Sequence, residues 1–460
     1  MTTIGKTATA SARHVARPSS IWPFLIVWIG QAVSMVGSGL TSFALGVWLL
    51  QETGEATPFA LTILFASFPS LLLAPLAGSL VDRWNRRWLM VVADTGDALV
   101  TLGAAALVAT GGLQVWHVYG IALVSAVFAA FQRPAYESSI SLLVPEKDLA
   151  RANGLVQAAH AGQSLLSPLL AGALVGLIGL HGIFVVDFVT YFAAIITVLL
   201  IKIPQPSPSE VSEVANETVS GRVRRDFAFG LRFLRDRPGL LGLLIYFALI
   251  NFLLNLAFVL TGPLVLSFSD PATLGVIQMA SGAAMLVGSI VISAWGGPKR
   301  RIVGVVGIIA VGALGELLVG LRPSPVLIGL GISWLLFCIP IASGCSSAIF
   351  QANVPSEVQG RVFAVRSMVA SSIMPIAFLL AGPLADRVFE PLMAADGVLG
   401  RGWLGQVVGR GTGRGIALIY LLSALLIVVT SAVAWADPRI RNVDVVGRSA
   451  ANAVEEAVSA

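Results

Sequence analysis

The chain has 460 residues, of which 56% are hydrophobic and only 12% are charged, and its mean hydropathy is +0.87. A soluble protein of this composition could not cover its surface with polar groups, so soluble enzymes and soluble binding domains are excluded. The 29 basic residues against 24 acidic ones would suggest a nucleic-acid partner in a soluble protein. Here the basic residues follow a membrane topology, and we expect no nucleic-acid partner.

Twelve apolar segments are each long enough to cross a bilayer, which requires about 20 residues. The predicted spans are 21–51, 57–81, 87–110, 115–143, 149–178, 181–201, 239–267, 271–295, 302–321, 325–353, 358–386 and 415–435. The first begins near Ile21 and is too long for a cleavable signal peptide. The pattern therefore predicts an all-α membrane protein with twelve transmembrane helices.

Basic residues alternate between the predicted loops, as they do where cytoplasmic loops retain lysine and arginine. The loops near 52–57, 110–117, 178–182 and 267–273 contain none. The amino-terminal tail and the even-numbered loops contain many, including six arginines between positions 222 and 237. This predicts a multi-pass protein of the cytoplasmic (inner) membrane with both termini in the cytoplasm. Arg322 and the long, glycine-rich loop 387–414 depart from the rule.

The apolar pattern is interrupted in the middle of the chain, at residues 202–238. A Pro/Ser/Glu-rich stretch comes first, followed by a basic segment with apolar residues at helical spacing. This predicts a cytoplasmic linker with an amphipathic helix on the anionic membrane surface, the alternative being a solvated basic linker. The predicted divisions are a tail (1–20), a six-helix bundle (21–201), the linker (202–238), a second six-helix bundle (239–435) and a tail (436–460).

The two halves contain matching segments. The segment LLAGAL at 169–174 reappears as LLAGPL at 379–384, and Pro145 and Arg151 recur as Pro355 and Arg361 at the same offset. A parallel repeat of this kind predicts two pseudo-symmetric bundles that carry the substrate path between them and rock to give alternating access.

The loop after the second span, GSLVDRWNRR, resembles a signature of the major facilitator superfamily, G-x-x-x-D-R-x-x-R-R. The matching positions are Gly78, Asp82, Arg83, Arg86 and Arg87, and Asn85 stands where many members have glycine. Glycine and asparagine both tolerate a left-handed turn, so this departure does not weaken the resemblance.

Longer segments are similar to the macrolide-efflux and siderophore-exporter-like members of the drug:proton antiporter branch. These are residues 133–155, 229–240 and 350–386. The resemblance implies the major facilitator fold, secondary export of an amphipathic small molecule such as a macrolide or siderophore, coupling to protons, and a monomer in contact with membrane lipids.

The resemblance also implies a gate at the charged loop. Asp82 can accept hydrogen bonds from a helix N-terminus, and the expected partner is the start of span 11 near Gly360 and Arg361. Asp94 is assigned to the same cluster, which comprises Gly78, Asp82, Arg83, Arg86, Arg87, Asp94, Gly360 and Arg361. The alternative is that the arginines only fix topology.

Ionisable residues within the spans are candidates for proton coupling, because burying a charge in a bilayer costs about 2.5–3.5 kcal/mol. Arg133 and Glu137 lie four residues apart in span 4, where they can pair. Asp97 in span 3 is at a similar depth, and Asp187 lies in span 6. A permanent ion pair and helix packing are the structural alternatives.

Other polar or amphipathic side chains lie at depths where a cavity could reach them. The candidate substrate residues are Gln31, His160, Gln163, Asn251, Asn255, Gln278 and Trp334. Helix packing is the alternative for each. Span 5 also resembles a degenerate antiporter motif, whose small residues and proline favour helix bending and favour export, at Ser167, Pro168, Ala171 and Gly172.

No further chemistry is apparent in the sequence. No P-loop motif is present, which argues against an ATP-driven pump, and no soluble catalytic domain is present, so we expect no enzyme activity. Cys338 and Cys345 are too far apart on one helix for a disulfide, and no metal or cofactor is expected apart from H⁺ as the coupling ion. The rival functions are an uptake symporter, a lipid transporter and a non-transporting membrane sensor.

Overall fold

The computed structural model describes residues 20–145, 148–204 and 219–444. Within the helices, the side-chain positions 74, 75, 78, 79, 82, 83, 150, 219–224, 226, 356, 357, 360, 364 and 371 also lie outside this description. The helices are α1 Trp22–Thr53, α2 Ala56–Arg83, α3 Arg86–Ala109, α4 Val115–Leu143, α5 Leu149–Leu200, α6 Val219–Arg235, α7 Pro238–Phe258, α8 Thr261–Leu266, α9 Pro271–Trp295, α10 Ile308–Leu321, α11 Pro325–Asn353, α12 Ser356–Ser372, α13 Met374–Leu384, α14 Glu390–Met393, α15 Trp403–Val407, α16 Arg414–Ala436 and α17 Pro438–Arg441.

Among the described residues, eleven helical segments are long and apolar enough to cross a membrane, and one of them contains two predicted spans. Within α5, Gly179 adopts φ 65° and ψ −179°, which only glycine tolerates. Ser167 donates to the carbonyl of Val36, while Thr190 lies against Gly37. In a straight helix Ser167 and Thr190 would be about 35 Å apart. The chain therefore reverses at Gly179, which is consistent with twelve spans.

Two predicted spans are broken by proline. The span predicted at 239–267 is divided into α7 and α8, because Pro263 has no N–H and clashes with the preceding turn. The span predicted at 358–386 is interrupted at Ile373, beside Pro375, and ends in a π-helical turn at Ala385–Phe389. These breaks are local, and both segments continue in a helical conformation.

The two halves repeat the same contact between a basic loop and a neighbouring helix. Arg86 donates to the carbonyl of Ser138 at 3.2 Å, and Arg301 donates to the carbonyl of Ala348 at 3.0 Å. The two acceptors are related by the same offset as Pro145 and Pro355. This agreement supports the prediction of two pseudo-symmetric bundles.

The two ends of the molecule carry different sets of loops. The "basic end" carries the loops at 84–85, 144–148 and 296–302, and the "opposite end" carries those at 54–55, 110–114 and 267–270. The helix α6 packs at the basic end of the second bundle, where Gly230 lies against Val365 and the Arg361 guanidinium lies 5.2 Å from the ring centroid of Phe229. The linker segment thus contains a helix that is docked on α12.

Replacing Gly179 with alanine should lower the free energy of unfolding by about 1–3 kcal/mol, because a side chain is strained at this φ and ψ. Chemical unfolding of the purified protein would measure the change. Gly162→Ala is the control, since Gly162 is helical with nothing within 4 Å of an added Cβ, and alanine there should be neutral or stabilising. Equal stability of the two variants would contradict a reversal at Gly179.

Candidate transport site

Two aspartates of the first bundle are connected through hydroxyl groups. Asp187 accepts hydrogen bonds from Thr41 at 2.6 Å and from Ser38 at 3.3 Å. The Ser38 and Tyr191 hydroxyls are 2.9 Å apart, and Tyr191 donates to Asp97 at 2.7 Å. The Ser38 and Tyr191 hydroxyls therefore lie between the carboxyl groups of Asp187 and Asp97, within hydrogen-bond distance of each other and of the carboxyl groups, and Ser38 can donate its single proton to only one partner at a time.

A third aspartate, Asp94, lies in the same region and is hydrogen-bonded to a side-chain amide. Asp94 accepts a hydrogen bond from the side chain of Gln31 at 3.0 Å, and Gln31 accepts one from Gln132 at 2.7 Å. Asp97 accepts a further hydrogen bond from Ser125 on α4. All of these donors are neutral. Within the described part of the chain, none of the three aspartates forms an ion pair, and together we call them the aspartate network.

A cavity of about 170 Å³ adjoins this network and is called the aspartate cavity. Asp94 is 5% exposed and Asp187 is 1% exposed, whereas Asp97 is only half-buried. Asp97 is thus the most accessible carboxyl group of the three. The polar side chains that line the cavity are Gln31, Ser34, Ser38, Asp94, Asp97, Gln132, Gln163 and Tyr191.

A second cavity of about 330 Å³ lies between the bundles, where α1, α2 and α5 meet α9, and is called the interbundle cavity. Its lining combines apolar side chains such as Phe43 and Phe59 with the predicted substrate residues Gln163 and Gln278. Gln163 lines the aspartate cavity as well, and its amide donates to the carbonyl of Met35 at 2.8 Å. One side chain therefore borders both cavities.

The remaining candidate substrate residues lie elsewhere. Asn251 and Asn255 donate to the carbonyls one turn earlier, at 2.8 and 2.7 Å. Trp334 is 40% exposed and donates to the carbonyl of Val311 on the neighbouring helix. Gln31 is only 4% exposed within the aspartate network. His160 is within electrostatic range of Arg133 and Glu137. The structure brings together only part of the predicted set.

The pairing predicted in span 4 is present. Arg133 and Glu137 form an ion pair at 3.1 Å, with side chains 69% and 51% exposed. Asp97, which the sequence places at similar depth, instead bonds to Ser125 and Tyr191. The structure therefore separates the ion pair from the aspartate network.

The charged loop is built from helix-capping contacts. Asn85 is the N-cap of α3, with φ −67° and ψ 109°, and its side chain accepts hydrogen bonds from the backbone N–H groups of Arg87 and Trp88. Arg87 donates to the last carbonyls of α5, at Val198 and Leu199, which have no partner within their own helix. Asp94 belongs to the aspartate network rather than to this loop. Four positions of the predicted gate lie outside the description of side chains, namely Gly78, Asp82, Arg83 and Gly360.

The predicted helix-bend motif forms a close crossing between the bundles. Pro168 lies inside α5 and its carbonyl approaches Gly275 of α9. A Cβ added at Gly172 would lie 2.6 Å from the carbonyl oxygen of Pro271. Ala171 is fully buried, and Ser167 lines the interbundle cavity. The small residues thus allow α5 and α9 to meet towards the opposite end.

Asp386 joins the bundles at the opposite end. Its carboxylate accepts hydrogen bonds from the backbone N–H groups of Ala56, at 2.9 Å, and Thr57, at 2.7 Å, and from the Thr57 hydroxyl. These N–H groups belong to the first turn of α2, where a negative charge is favoured. The second bundle thereby caps a helix of the first.

Asp386 was not among the predicted residues, although a repeated sequence pattern marks its position. The pattern A-G-x-L-x-D-R occurs at 77–83 and again at 381–387. The first copy ends α2 at the basic end, and the second follows α13 at the opposite end. The acidic residue of the second copy is Asp386.

A family model described as the Major Facilitator Superfamily matches residues 27–379. The chain belongs to the Major Facilitator Superfamily. This assignment confirms the predicted family and, with the helical structure above, the predicted fold class. The protein is therefore a multi-pass membrane transporter.

Curated members of the superfamily with related sequences include efflux proteins. Macrolide efflux protein A of Streptococcus pyogenes is 27% identical over 379 residues, which cover 79% of this chain and 90% of that protein. The multidrug efflux pump Tap of Mycolicibacterium fortuitum is 24% identical over 374 residues, covering 79% and 89% of the two chains. These relatives are transporters and not enzymes.

Solved structures share the fold at lower sequence identity. A bacterial homologue of the human lysosomal transporter Spinster, in an inward-facing and unoccupied conformation, has a TM-score of 0.65 at 13% identity and covers 93% of this chain and 96% of its own. The nucleoside transporter NupG has a TM-score of 0.63 at 13% identity and covers 89% and 98%. At this identity, the similarities show only that the chain shares the fold of these transporters.

Replacing Asp386 with alanine should weaken closure at the opposite end, because two N–H groups and a hydroxyl lose their acceptor. A cysteine at Ala60, which is fully buried, would report separation of the bundles by its rate of maleimide labelling. In a background with Cys338 and Cys345 changed to alanine, labelling should accelerate about 2- to 30-fold, as expected for loss of a helix cap. Asp396→Ala, an exposed position, is the control. Unchanged labelling in Asp386→Ala would show that this contact does not hold the bundles together.

Gly172→Ala should also accelerate labelling at position 60, because its Cβ would force α5 away from the Pro271 carbonyl. Gly176→Ala is a matched control one turn away, since an added Cβ there has nothing within 4 Å. If both variants were labelled at the rate of the parent, the crossing of α5 and α9 would not contribute to closure.

Proposed function

We propose that this transporter exports an amphipathic small molecule in exchange for protons, with its basic end and both termini in the cytoplasm. The observation that carries the proposal is the position of Gln163, which borders both the aspartate cavity and the interbundle cavity. A substrate bound between the bundles would thus be separated from the aspartate cavity by the side chain of Gln163. We propose that the protein acts as a monomer, as the family resemblance implies.

The aspartate network suits a proton carrier. Three carboxyl groups in the membrane interior with neutral partners cannot all be ionised at an acceptable cost. Some of them must therefore hold a proton, and the proton can be exchanged where water reaches the group. Asp97 is half-buried and hydrogen-bonded to Ser125 and Tyr191, so it is the proposed exchange site. Asp94 and Asp187 influence how readily Asp97 ionises.

The substrate side of the proposal rests on the interbundle cavity and on the relatives. The cavity combines phenylalanine side chains with a few amides and hydroxyls, which suits an amphipathic molecule. Relatives that align over most of the chain are named as macrolide and multidrug efflux proteins. These observations favour export over uptake symport, which is the second candidate.

The test uses inverted membrane vesicles with an acidified interior and a pH-sensitive dye. Macrolides, lipophilic cations and siderophores are added in turn. We expect at least one of them to collapse the pH gradient in vesicles that contain the intact protein. The collapse should be lost in Asp97→Asn, because asparagine cannot exchange a proton.

Glu52→Gln is the control variant, since Glu52 is exposed at the opposite end of α1 and should transport as the parent does. A compound that is transported without any effect on the gradient would contradict proton coupling. Movement of the compound out of the vesicles together with protons would favour the symporter. Tight binding without flux for every compound that binds would favour the sensor.

A further inference from the structure

The second bundle contains its own cavity, separate from the two described above. It has a volume of about 390 Å³ and is called the arginine cavity. It lies between α7, α10, α11 and α12. Its polar lining includes Arg366, Asn251, Ser343, Ser347 and Ser367. Neither the aspartate network nor the closing contacts involve this cavity.

Arg366 lies among aromatic rings in this cavity. The centre of its guanidinium is 4.8 Å from the ring centroid of Phe350 and 5.8 Å from those of Phe247 and Phe363. At such distances the faces of aromatic rings attract a cation. The rings therefore hold the guanidinium in place, and they leave its N–H groups in need of acceptors.

The acceptors present do not satisfy the guanidinium. Its hydrogen bond to the Ser347 hydroxyl is long, at 3.5 Å. Among the side chains that the structure describes, no carboxylate forms an ion pair with Arg366, and its Nε and Nη2 groups form no hydrogen bond. A guanidinium carries five N–H donors in a planar fork. Arg366 is thus a cation inside a membrane-spanning segment, held among aromatic rings and without a counter-ion among the described side chains, which points to a functional site.

We propose that the arginine cavity binds the anionic group of an amphiphile, a carboxylate, phosphate or sulfonate, through Arg366. The planar fork matches such groups in a bidentate manner. The Ser343 and Ser367 hydroxyls can add donors, and Phe247, Leu254 and Ile309 supply an apolar wall. The inference rests on the proposed function, because it assigns a chemical class to the molecule that the transporter handles.

The aspartate network and Arg366 lie in different bundles. Among the described residues, neither the three aspartates of the network nor Arg366 forms an ion pair. An anionic group would therefore bind at Arg366 in the second bundle, while the proposed exchangeable proton stays on the aspartate network of the first. The anion could belong to a dissolved substrate or to a membrane lipid, since both present the same chemistry.

Binding of two matched probes tests the site. The protein is reconstituted in nanodiscs of phosphatidylcholine, and 1-pyrenebutyrate and the uncharged 1-pyrenebutanol are titrated by energy transfer from tryptophan. We expect Arg366→Gln to weaken binding of pyrenebutyrate about 10- to 100-fold, as for loss of a charged hydrogen-bonded pair. The affinity for pyrenebutanol should be unchanged, which also establishes that the variant is folded.

Two further variants separate charge from geometry. Arg366→Lys should bind pyrenebutyrate with intermediate affinity, because lysine keeps the charge and loses the fork. Arg322→Gln removes a positive charge from the opposite end of the same bundle and should bind both probes as the parent does. The proposal is overturned if the parent does not prefer pyrenebutyrate, or if Arg366→Gln and Arg322→Gln lower its affinity equally.

The source of the anion is found by adding phosphatidylglycerol to the nanodiscs. Competition with pyrenebutyrate in the parent, absent in Arg366→Gln, would support the site with a lipid occupant. Binding that is insensitive to phosphatidylglycerol would support the site with a dissolved occupant. These measurements need no proton gradient, so a failure of the vesicle experiment leaves the binding result intact and separates the two proposals.

Discussion

The burial of three aspartates among neutral partners is the constraint on which the first bundle is built. Each carboxyl group needs hydrogen-bond donors, because the bilayer offers no water to replace them. The donors Ser38 and Thr41 reach Asp187 because α1 and α5 approach closely. An added Cβ at Gly37 would collide with Thr190 and Asp187, and one at Gly39 would collide with Ser167. Small residues on α1 thus determine both the packing and the polar network.

The same close approach recurs between the bundles and supports the proposed coupling of the substrate and proton sites. The crossing of α5 with α9 depends on Gly172 and Gly275, and the same helix α5 supplies Gln163 to both cavities. A rocking motion of the bundles that separates this crossing also displaces the side chain that lies between Asp97 and the interbundle cavity. The Asp386 cap on α2 opposes that motion at the opposite end. The proposed proton exchange and the closure of the bundles thereby involve the same helix, α5.

The spans and the repeat could be predicted from the sequence, because the bilayer requires long apolar segments and parallel halves repeat their motifs. The Arg133 and Glu137 pair followed from the helical spacing of four residues. Asp94 was misassigned because it was judged by its distance along the chain from the charged loop. Its spacing of three residues from Asp97, which places both on one helix face, was the better guide.

Other features could not be read from the sequence. Asn255 is polar at cavity depth, yet its amide donates to a carbonyl of its own helix and it lines none of the three cavities described, so depth alone does not indicate a substrate contact. The isolation of Arg366 from any described carboxylate depends on which helices become neighbours. The reversal between the spans at 149–178 and 181–201 was predicted, but that it is made by the backbone conformation of the single residue Gly179 could not be read from the sequence.

The central claim is that substrate between the bundles and a proton on Asp97 affect one another. The most direct measurement is the number of protons released when a transported compound binds to the purified protein in weakly buffered detergent solution. The account predicts that binding releases protons from the parent, and that Asp97→Asn binds the compound without releasing them. Binding to the parent without a change in pH, across the range in which transport occurs, would contradict the account.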